Sequence, residues 1–292
     1  MKTATIRDQS DSLDLRYAVT PASTEAVSRF IVFLNGRTEW IEKYAYVAGD
    51  LGLDDRTGFL TMDHRGQGAS GGARAFIDSY DTYARDCAVV INQVVGNKPY
   101  TVVAHSMGCL IALYATLKGV INPQSLILCS PLFGLPNWPV PRVLAKPTSK
   151  MLSLAKLGAM HSGAGNHANE KFELNQLTHD VDKFEVIRNS PYPVPSATFG
   201  WVHATFEALR QIYDPGNLKK LTVPVLVMVG SNESVVDASA FQTWLKAAAD
   251  AAPGDVEYIM IPGAKHELLS EIPQYYQRAL AGIKGFLSRR MQ

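Results

Sequence analysis

The chain has 292 residues, of which 47% are hydrophobic, and its formal net charge is +1 at pH 7. This apolar content is enough for a large core, and single α/β domains of this length are common. The near-zero charge predicts no nucleic-acid partner. The first eight residues lack the apolar run of a secretory signal, and no run approaches the ~20 residues of a membrane span. We therefore expect a cytoplasmic protein.

Three cysteines, Cys87, Cys109 and Cys129, lie in runs that predict core helix or strand. Their spacing is not typical of a metal site. We therefore expect three buried free thiols, as in a protein from a reducing compartment.

Predicted strands and helices alternate along most of the chain. Residues 13–19 alternate apolar and polar side chains, which predicts an antiparallel edge strand. Continuous apolar runs predict buried strands at 29–34, 57–62, 125–129, 223–229 and 256–261, with a further strand and a sharp turn at 100–106. Helical spacing predicts helices at 39–51, 80–95, 110–115, 238–252 and 274–289. This order predicts an α/β fold, with a mostly parallel sheet and helices on both faces.

The alternation stops between about 135 and 210. Two proline clusters lie in this stretch, at 136–147 and 191–195, and no strand pattern returns before 223. Aromatic and apolar residues throughout the stretch argue against disorder. We expect one domain over residues 1–292, with residues 135–210 inserted as a helical cap over the sheet.

Ser106 follows a β-branched run and precedes a helix. A nucleophilic serine on a sharp strand-to-helix turn needs this context, with small residues two positions before and after it. Gly108 fits the pattern, and Ala104 stands where glycine is more usual. The alternative is a serine that only caps the helix.

Three predicted strands end in the groups that an acyl transfer needs. Ser106 ends one strand, Glu233 follows a second, and His266 follows the last. Because function collects beyond the carboxyl ends of parallel strands, we expect these side chains to meet. The serine needs a histidine to take its proton, and a carboxylate orients that histidine. Asp237 is the alternative acid, although it directly precedes a helix, where aspartate is a natural N-cap.

The oxyanion of an acyl transfer needs preorganised donors. The backbone N–H of Met107, which follows the nucleophile, is one candidate, and the N–H of Arg37 after the strand at 29–34 is the other. Gly36 either helps to place this oxyanion donor or is an ordinary turn glycine. Of the other histidines near strand ends, His64 has no assigned role and His105 is interpreted as packing.

Four histidines fall within the predicted insertion, where they could at most touch substrate: His161, His167, His179 and His203.

The glycine-rich stretch 66–72 lacks the ending of a P-loop and the spacing of a dinucleotide fingerprint, so we interpret it as structural. No cluster in the sequence suggests a metal or a redox cofactor, and none is expected.

Five segments together resemble bacterial lysophospholipases of the α/β-hydrolase fold and their relatives, the monoacylglycerol lipases. These segments are Asn35–Glu39, Asp63–Ser70, Ala104–Gly108, Glu233–Asp237 and Gly263–Glu267. The resemblance covers about 30–135 and 220–285 and is weaker in the cap. It implies a serine esterase with nucleophile Ser106 and base His266. It places the acid at Glu233, where many relatives have aspartate, so Asp237 stays a rival.

The same resemblance implies a substrate. Lysophospholipid or monoacylglycerol would be cleaved through an acyl-enzyme, and the Arg37 side chain would meet a phosphate headgroup. A short-chain carboxylesterase and a non-catalytic binding protein of the same fold are the alternatives, and the acyl acceptor and oligomeric state stay open. A lipid substrate would favour peripheral contact of the cap with the inner membrane surface, although no strongly basic amphipathic helix is evident in the sequence.

Overall fold

The computed structural model describes residues 1–8, 12–21, 26–136, 142–163 and 171–290. The strands within these ranges are Lys2–Asp8 (β1), Leu13–Thr20 (β2), Arg29–Leu34 (β3), Thr57–Met62 (β4), Tyr100–His105 (β5), Ser125–Cys129 (β6), Val225–Gly230 (β7) and Val256–Ile261 (β8). The α-helices are Val47–Leu51 (α1), Tyr80–Val94 (α2), Met107–Leu117 (α3), Arg142–Leu154 (α4), Val181–Arg188 (α5), Phe199–Ile212 (α6), Pro215–Leu218 (α7), Ala238–Ala251 (α8) and Pro273–Arg290 (α9). Short 3-10 turns lie at Ile41–Tyr44, Phe172–Leu174 and Leu268–Ser270.

All eight strands form one sheet in the order β1-β2-β4-β3-β5-β6-β7-β8. The β1–β2 and β2–β4 pairs are antiparallel, and the other neighbours are parallel. The register sets Leu34 beside Ala104, His105 beside Cys129, and Gly230 beside Ile261. The carboxyl ends of β3, β5, β7 and β8 therefore meet along the same edge of the sheet.

The prediction that residues 13–19 form an edge strand is wrong. β2 pairs with β4 on one side and with β1 on the other, so β1 is the edge. β1 was not predicted, because only Ala4 and Ile6 are apolar in Lys2–Asp8. A mostly exposed edge strand does not need an apolar face, and charged residues on it discourage pairing with other chains.

The predicted helix at 39–51 is also wrong in its extent. The structure has a 3-10 turn at Ile41–Tyr44 and then the five-residue α1, which ends at Gly52 in the left-handed conformation with φ 64°. Lys43 and Tyr44 turn their polar ends inward to bind buried carboxylates. Tertiary contacts of these polar groups therefore override the helical spacing of the apolar residues.

Helices cover both faces of the sheet, as predicted. In β3, Phe30, Val32 and Leu34 join the apolar cluster that includes residues of α2, α3, α6 and α8. The intervening residues Ile31 and Phe33 join the cluster that includes residues of α1 and α9. This alternation follows from the two-residue period of a strand, and a strand buried on both faces is apolar throughout.

The stretch between β6 and β7 is largely helical. α6 packs on α3 and α4 and buries Trp201, Leu209 and Ile212, so it is firmly attached to the core. α4 spans Arg142–Leu154 and contains Pro147. Residues 137–141 and 164–170, including His167, lie outside the described ranges, so the boundaries 135–210 of a cap stay a prediction. Among the described residues, no helix combines the length and apolarity needed to cross a bilayer.

Candidate active site

Ser106 lies on a strained turn between β5 and α3, with φ 51° and ψ −114°. A positive φ is uncommon for a residue other than glycine, and it marks a site that the surrounding structure enforces. Here the Ser106 N–H donates to the carbonyl oxygen of Cys129 at 3.0 Å, and its carbonyl accepts from the N–H of Leu132 at 3.1 Å. The Ser106 side chain makes no capping hydrogen bond to α3, so the helix-cap alternative is wrong.

The turn depends on close packing behind the serine. A Cβ on Gly108 would lie 2.2 Å from the carbonyl oxygen of Leu34 and 2.5 Å from that of Asn35. Such distances are far inside van der Waals contact, so only glycine fits here. Ala104 is fully buried on β5, where the sheet accommodates its methyl group.

Ser106, His266 and Glu233 form one hydrogen-bonded chain at the carboxyl edge of the sheet. His266 Nε2 lies 3.0 Å from Ser106 Oγ, and His266 Nδ1 lies 2.7 Å from Glu233 Oε2. The other carboxylate oxygen of Glu233 accepts the N–H groups of Val235 at 2.8 Å and Val236 at 3.2 Å. The structure thus brings together three residues that are up to 160 positions apart in the chain.

The carboxylate of Glu233 is the charged member of this chain. Burial alone would raise its pKa, but the charge of His266 and hydrogen bonds from His266, Val236 and Val235 outweigh burial and lower the pKa. A carboxylate accepts the proton on Nδ1 of His266 and leaves Nε2 as an acceptor facing the serine hydroxyl. This arrangement is suited to taking a proton from Ser106.

Asp237 lies at the start of helix α8. It is the N-cap of α8, and its Oδ1 accepts the backbone N–H of Ser239 at 3.1 Å and the Ser239 hydroxyl at 2.7 Å. The structure brings Glu233, rather than Asp237, to the imidazole of His266.

The loop after β3 lies directly against Ser106. A Cβ on Gly36 would lie 3.1 Å from the Cβ of Ser106, so Gly36 allows this close approach and is more than a turn glycine. Arg37, the next residue, donates from its guanidinium to the carbonyl oxygen of Pro195 at 2.7 Å and lies 5.4 Å above the ring of Trp201. Burial lowers the pKa of Arg37 to about 10. The Arg37 side chain therefore ties this loop to the insertion, and its contact with a headgroup stays a prediction.

Side chains after β4 fix the same loop by three hydrogen bonds. His64 Nε2 donates to the carbonyl oxygen of Asn35 at 3.1 Å, Gln67 Oε1 accepts from Thr38 N at 2.7 Å, and Asp63 Oδ1 accepts from Ile41 N at 2.9 Å. A Cβ on Gly68, where φ is 45°, would overlap the carboxylate of Asp63. The glycine-rich stretch thus lets its chain wrap around a buried carboxylate.

Sequence reasoning missed a buried cluster behind Ser106. Lys43 Nζ donates to carboxylate oxygens of Glu39 and Glu267, and the Tyr44 hydroxyl lies within hydrogen-bond distance of both carboxylates. His105 is not simple packing, because its ring faces the same two carboxylates. Glu39, His105 and Glu267 could offer three metal-ligand atoms within 4.8 Å, but the Lys43 ammonium already supplies the cation between the carboxylates.

Part of the insertion is bonded to the loop that carries His266. The N–H of Glu267 donates to Leu177 O at 2.9 Å, the hydroxyl of Thr178 donates to Ser270 O at 2.7 Å, and Lys265 Nζ donates to Asn175 O at 2.8 Å. Among the insertion histidines, His179 Nδ1 lies 2.7 Å from Glu271 Oε1, and His161 Nδ1 lies 2.8 Å from Ser196 O. His179 and His161 therefore each bind another part of the protein. His203 lies on α6.

Known proteins are similar to most of this chain in sequence or in fold. The chain is 28% identical over 296 residues to a probable lysophospholipase L2 of Haemophilus influenzae, with 94% of this chain and 88% of that protein covered. It is 27% identical over 289 residues to lysophospholipase L2 of Escherichia coli K12, covering 89% of this chain and 81% of that protein.

A solved structure, a soluble variant of monoglyceride lipase from Saccharomyces cerevisiae in complex with a substrate analogue, superposes with a TM-score of 0.78 at 19% identity. The superposition covers 98% of this chain and 94% of the yeast chain. At this identity the likeness shows the fold alone, which is the α/β-hydrolase fold predicted from the sequence. The profile of the family Hydrolase_4, described as serine aminopeptidase, S33, matches residues 25–273. The chain therefore belongs to this family of α/β-hydrolases.

Proposed function

We propose that the protein is a serine hydrolase that cleaves the carboxylic ester of a single-acyl-chain lipid, a lysophospholipid or a monoacylglycerol. The hydrogen-bonded chain of Ser106, His266 and Glu233 carries this proposal, with Ser106 as nucleophile, His266 as general base and acid, and Glu233 as the carboxylate that orients His266. The names of the relatives, lysophospholipase and monoglyceride lipase, support the ester and the single acyl chain.

The reaction proceeds in two halves. Ser106 Oγ attacks the carbonyl carbon of the ester while His266 Nε2 takes the hydroxyl proton. The tetrahedral intermediate collapses, the ester C–O bond breaks, and His266 returns the proton to the leaving alcohol. Water then attacks the acyl-enzyme, gives its proton to His266, and releases the fatty acid as the proton returns to Oγ. No step needs a cofactor.

The oxyanion of each intermediate needs donors placed before the attack. We assign the backbone N–H groups of Met107 and Arg37 to this role. Met107 is the first residue of α3, where a helix leaves its N–H groups without intrahelical partners. The close approach of Gly36 to Ser106 supports the assignment of Arg37.

Fatty-acid release from a matched substrate set tests the function. The set holds lysophosphatidylcholine, monoacylglycerol, and simple esters from acetyl to palmitoyl. Replacing the nucleophile (Ser106→Ala) should cost roughly 10⁴-fold or more in rate. Ser125→Ala is the control, because Ser125 is a buried serine at the start of β6, with its hydroxyl 2.9 Å from Thr101 Oγ1.

Long-chain lysophospholipid or monoacylglycerol as the best substrate would support the proposal. Activity on acetyl or butyryl esters alone would make the protein a short-chain carboxylesterase. No activity on any ester, with wild-type and Ser106→Ala proteins equal, would leave a non-catalytic binding protein. An equal loss of lysophospholipid and neutral-ester turnover in Arg37→Ala would exclude the headgroup contact of Arg37.

We further propose that residues 142–163 and 171–186 of the insertion form a cap that docks on an anionic lipid surface. Most of the exposed large apolar side chains in the described ranges lie here: Leu144, Met151, Leu154, Leu157, Met160, Leu174, Val181 and Val186. Met151 is 62% exposed and Leu154 is 74% exposed. Lys146, Lys150 and Lys156 are exposed beside them, and residues 142–163 contain no Asp or Glu.

Apolar side chains together with lysines are the composition of an interfacial helix. No strongly basic amphipathic helix was evident in the sequence, where Pro147 interrupts the segment that forms α4. Sedimentation with vesicles of phosphatidylcholine, with and without phosphatidylglycerol, tests the docking. We expect binding to the anionic vesicles, weakened by Met151→Ser and unchanged by Met260→Ser, since Met260 is 48% exposed on β8. Equal effects of the two substitutions would contradict the proposal.

A further inference from the structure

Four ionisable side chains are buried together behind Ser106 and His266. Glu39, Lys43, His105 and Glu267 are each at most 6% exposed, and we call them the buried quartet. They come from the loop after β3, the 3-10 turn that follows it, the end of β5 and the loop after β8. No step of the proposed reaction uses them directly.

The quartet joins two carboxylates to two basic groups. Lys43 Nζ donates to Glu39 Oε1 and, at 2.8 Å, to Glu267 Oε2. His105 Nε2 lies 3.7 Å from Glu39 Oε1 and 3.6 Å from Glu267 Oε1. The hydroxyl of Tyr44 lies 2.7 Å from Glu39 Oε1 and 2.9 Å from Glu267 Oε2. Lys43 Nζ thus bonds both carboxylates, and the His105 ring lies within ion-pair distance, but beyond hydrogen-bond distance, of the same two.

Three members also touch or adjoin a part of the candidate active site. The second carboxylate oxygen of Glu39 accepts the backbone N–H of Gly36, in the loop assigned to the oxyanion. Glu267 directly follows His266 in the chain. The ring centroid of His105, the residue before the nucleophile, lies 4.8 Å from that of His266.

The charge count of the quartet depends on His105. Two carboxylates and one ammonium leave one negative charge in a dry interior, where an uncompensated charge is costly. Burial alone would lower the pKa of His105, but the charges of Glu39 and Glu267 outweigh it and raise the pKa. The pKa of Glu267 lies well below its usual value, because Lys43 and His105 outweigh its burial.

We propose that the buried quartet is a charge-neutral positioning unit in which His105 is an imidazolium. It holds the Gly36 loop and the His266 loop together, and its charges set how readily His266 takes a proton. His105 and Glu267 are positioning residues, since neither touches the reacting atoms. This inference rests on the proposed serine hydrolase mechanism.

The charged groups around His266 give the sign of the expected effects. Glu233 contacts its Nδ1 from the loop after β7, Glu267 adjoins it in its own loop, and His105 faces it from β5; Glu39, Lys43 and Tyr44 lie behind these. Glu267→Gln removes a negative charge and so disfavours the protonated form of His266. The acid limb of the pH profile of kcat/KM should therefore move to lower pH. His105→Gln removes a positive charge and moves that limb to higher pH.

The test compares kcat/KM from about pH 5 to about pH 9 on a soluble ester, 4-nitrophenyl butyrate. We expect the two limbs to move in opposite directions by up to about one pH unit, with kcat changing more than KM. Glu267→Asp keeps the charge, so its acid limb should stay at the wild-type position even where kcat falls. Limbs that stay in place in both glutamine variants, or move the same way, would overturn the inference.

A measurement on the wild-type protein needs no variant to fold. In ¹⁵N-histidine-labelled protein near neutral pH, an imidazolium at His105 gives two protonated ring nitrogens, whereas a neutral ring gives one protonated and one bare nitrogen. A neutral His105 in an active enzyme would refute the quartet and leave the proposed function standing. A doubly protonated His105 in a protein inactive on every ester would refute the function and leave the charge state of the quartet standing.

Discussion

Gly108 in the first turn of α3 packs against the backbone of Leu34 at the end of β3. A Cβ on Gly108 would lie 2.2 Å from the Leu34 carbonyl oxygen, and that backbone belongs to the central strands of the sheet. We expect Gly108→Ala to destabilise the protein by about 2 kcal/mol or more, because the added atom meets backbone that cannot rotate away. It should also displace Ser106 and lower kcat.

Gly49→Ala is the matched control for this prediction. Gly49 lies in α1, and a Cβ there would meet nothing within 4 Å. Alanine favours a helix over glycine, so the control should be neutral or stabilising by up to about 1 kcal/mol. Urea midpoints of the three proteins measure the effect, and equal midpoints would contradict the packing argument.

Glu233 and Asp237 should differ sharply in what their loss does. Glu233→Gln keeps the shape of the side chain but no longer requires the proton of His266 on Nδ1, so we expect kcat to fall by up to about 10⁴-fold. Asp237→Ala removes the N-cap of α8 and should cost about 1 kcal/mol of stability with near-normal kcat. Kinetics and urea unfolding of both variants show which of the two carboxylates supports His266. A large kcat loss in Asp237→Ala, with little in Glu233→Gln, would reverse the assignment.

His64 should make stability depend on pH. Burial lowers the pKa of His64 from 6.5 to about 4, and its Nε2–H is used by the Asn35 carbonyl. The unfolded chain therefore binds a proton between about pH 6.5 and pH 4 that the folded chain does not. Above about pH 6.5, His64 is neutral in both the folded and the unfolded chain, so it does not weaken the fold. As the pH falls from about 6.5 to about 4, the free energy of unfolding should drop by about 3 kcal/mol.

Urea unfolding at about pH 7 and about pH 4 measures this change. His64→Gln lacks the titrating ring, so its loss of stability over the same range should be smaller by about that amount. Parallel losses in the two proteins would show that His64 is protonated in the folded state.

The three cysteines are expected to be unreactive in the folded protein. Cys87, Cys109 and Cys129 are free and buried, and burial raises the pKa of each thiol, that of Cys129 to about 12. Because the thiolate is the reactive form, Ellman's reagent should label none of them in buffer and all three in denaturant. Activity should survive the reagent. Rapid labelling with loss of activity in buffer would contradict their burial.

The central sheet was predictable because its signal is local. Strands such as Arg29–Leu34 and Val225–Gly230 are buried on both faces and therefore apolar at nearly every position. The turn at Ser106 was predictable for a similar reason, since its strand, small residues and helix are contiguous. β1 was missed because an exposed edge carries no comparable pattern.

The environment of the site was less predictable, because it depends on contacts between distant positions. Lys43 and Glu267 are 224 positions apart and each is indistinguishable in sequence from a surface charge. Their polar ends become interior groups only when the sheet brings the loops after β3 and β8 together. The same holds for His64, whose partner Asn35 is 29 positions away.

The bonds from residues 175–178 to the His266 loop divide the insertion into two parts with different freedom to change during evolution. Substitutions or exchanges in α4 alter the surface proposed to contact lipids and leave His266 in place. Changes at Leu177 or Thr178 would disturb the loop that carries His266, because these two residues are hydrogen-bonded to Glu267 and Ser270. A chimaera that takes α4 from a relative but keeps residues 175–180 should therefore bind anionic vesicles differently, with its turnover of a soluble ester intact.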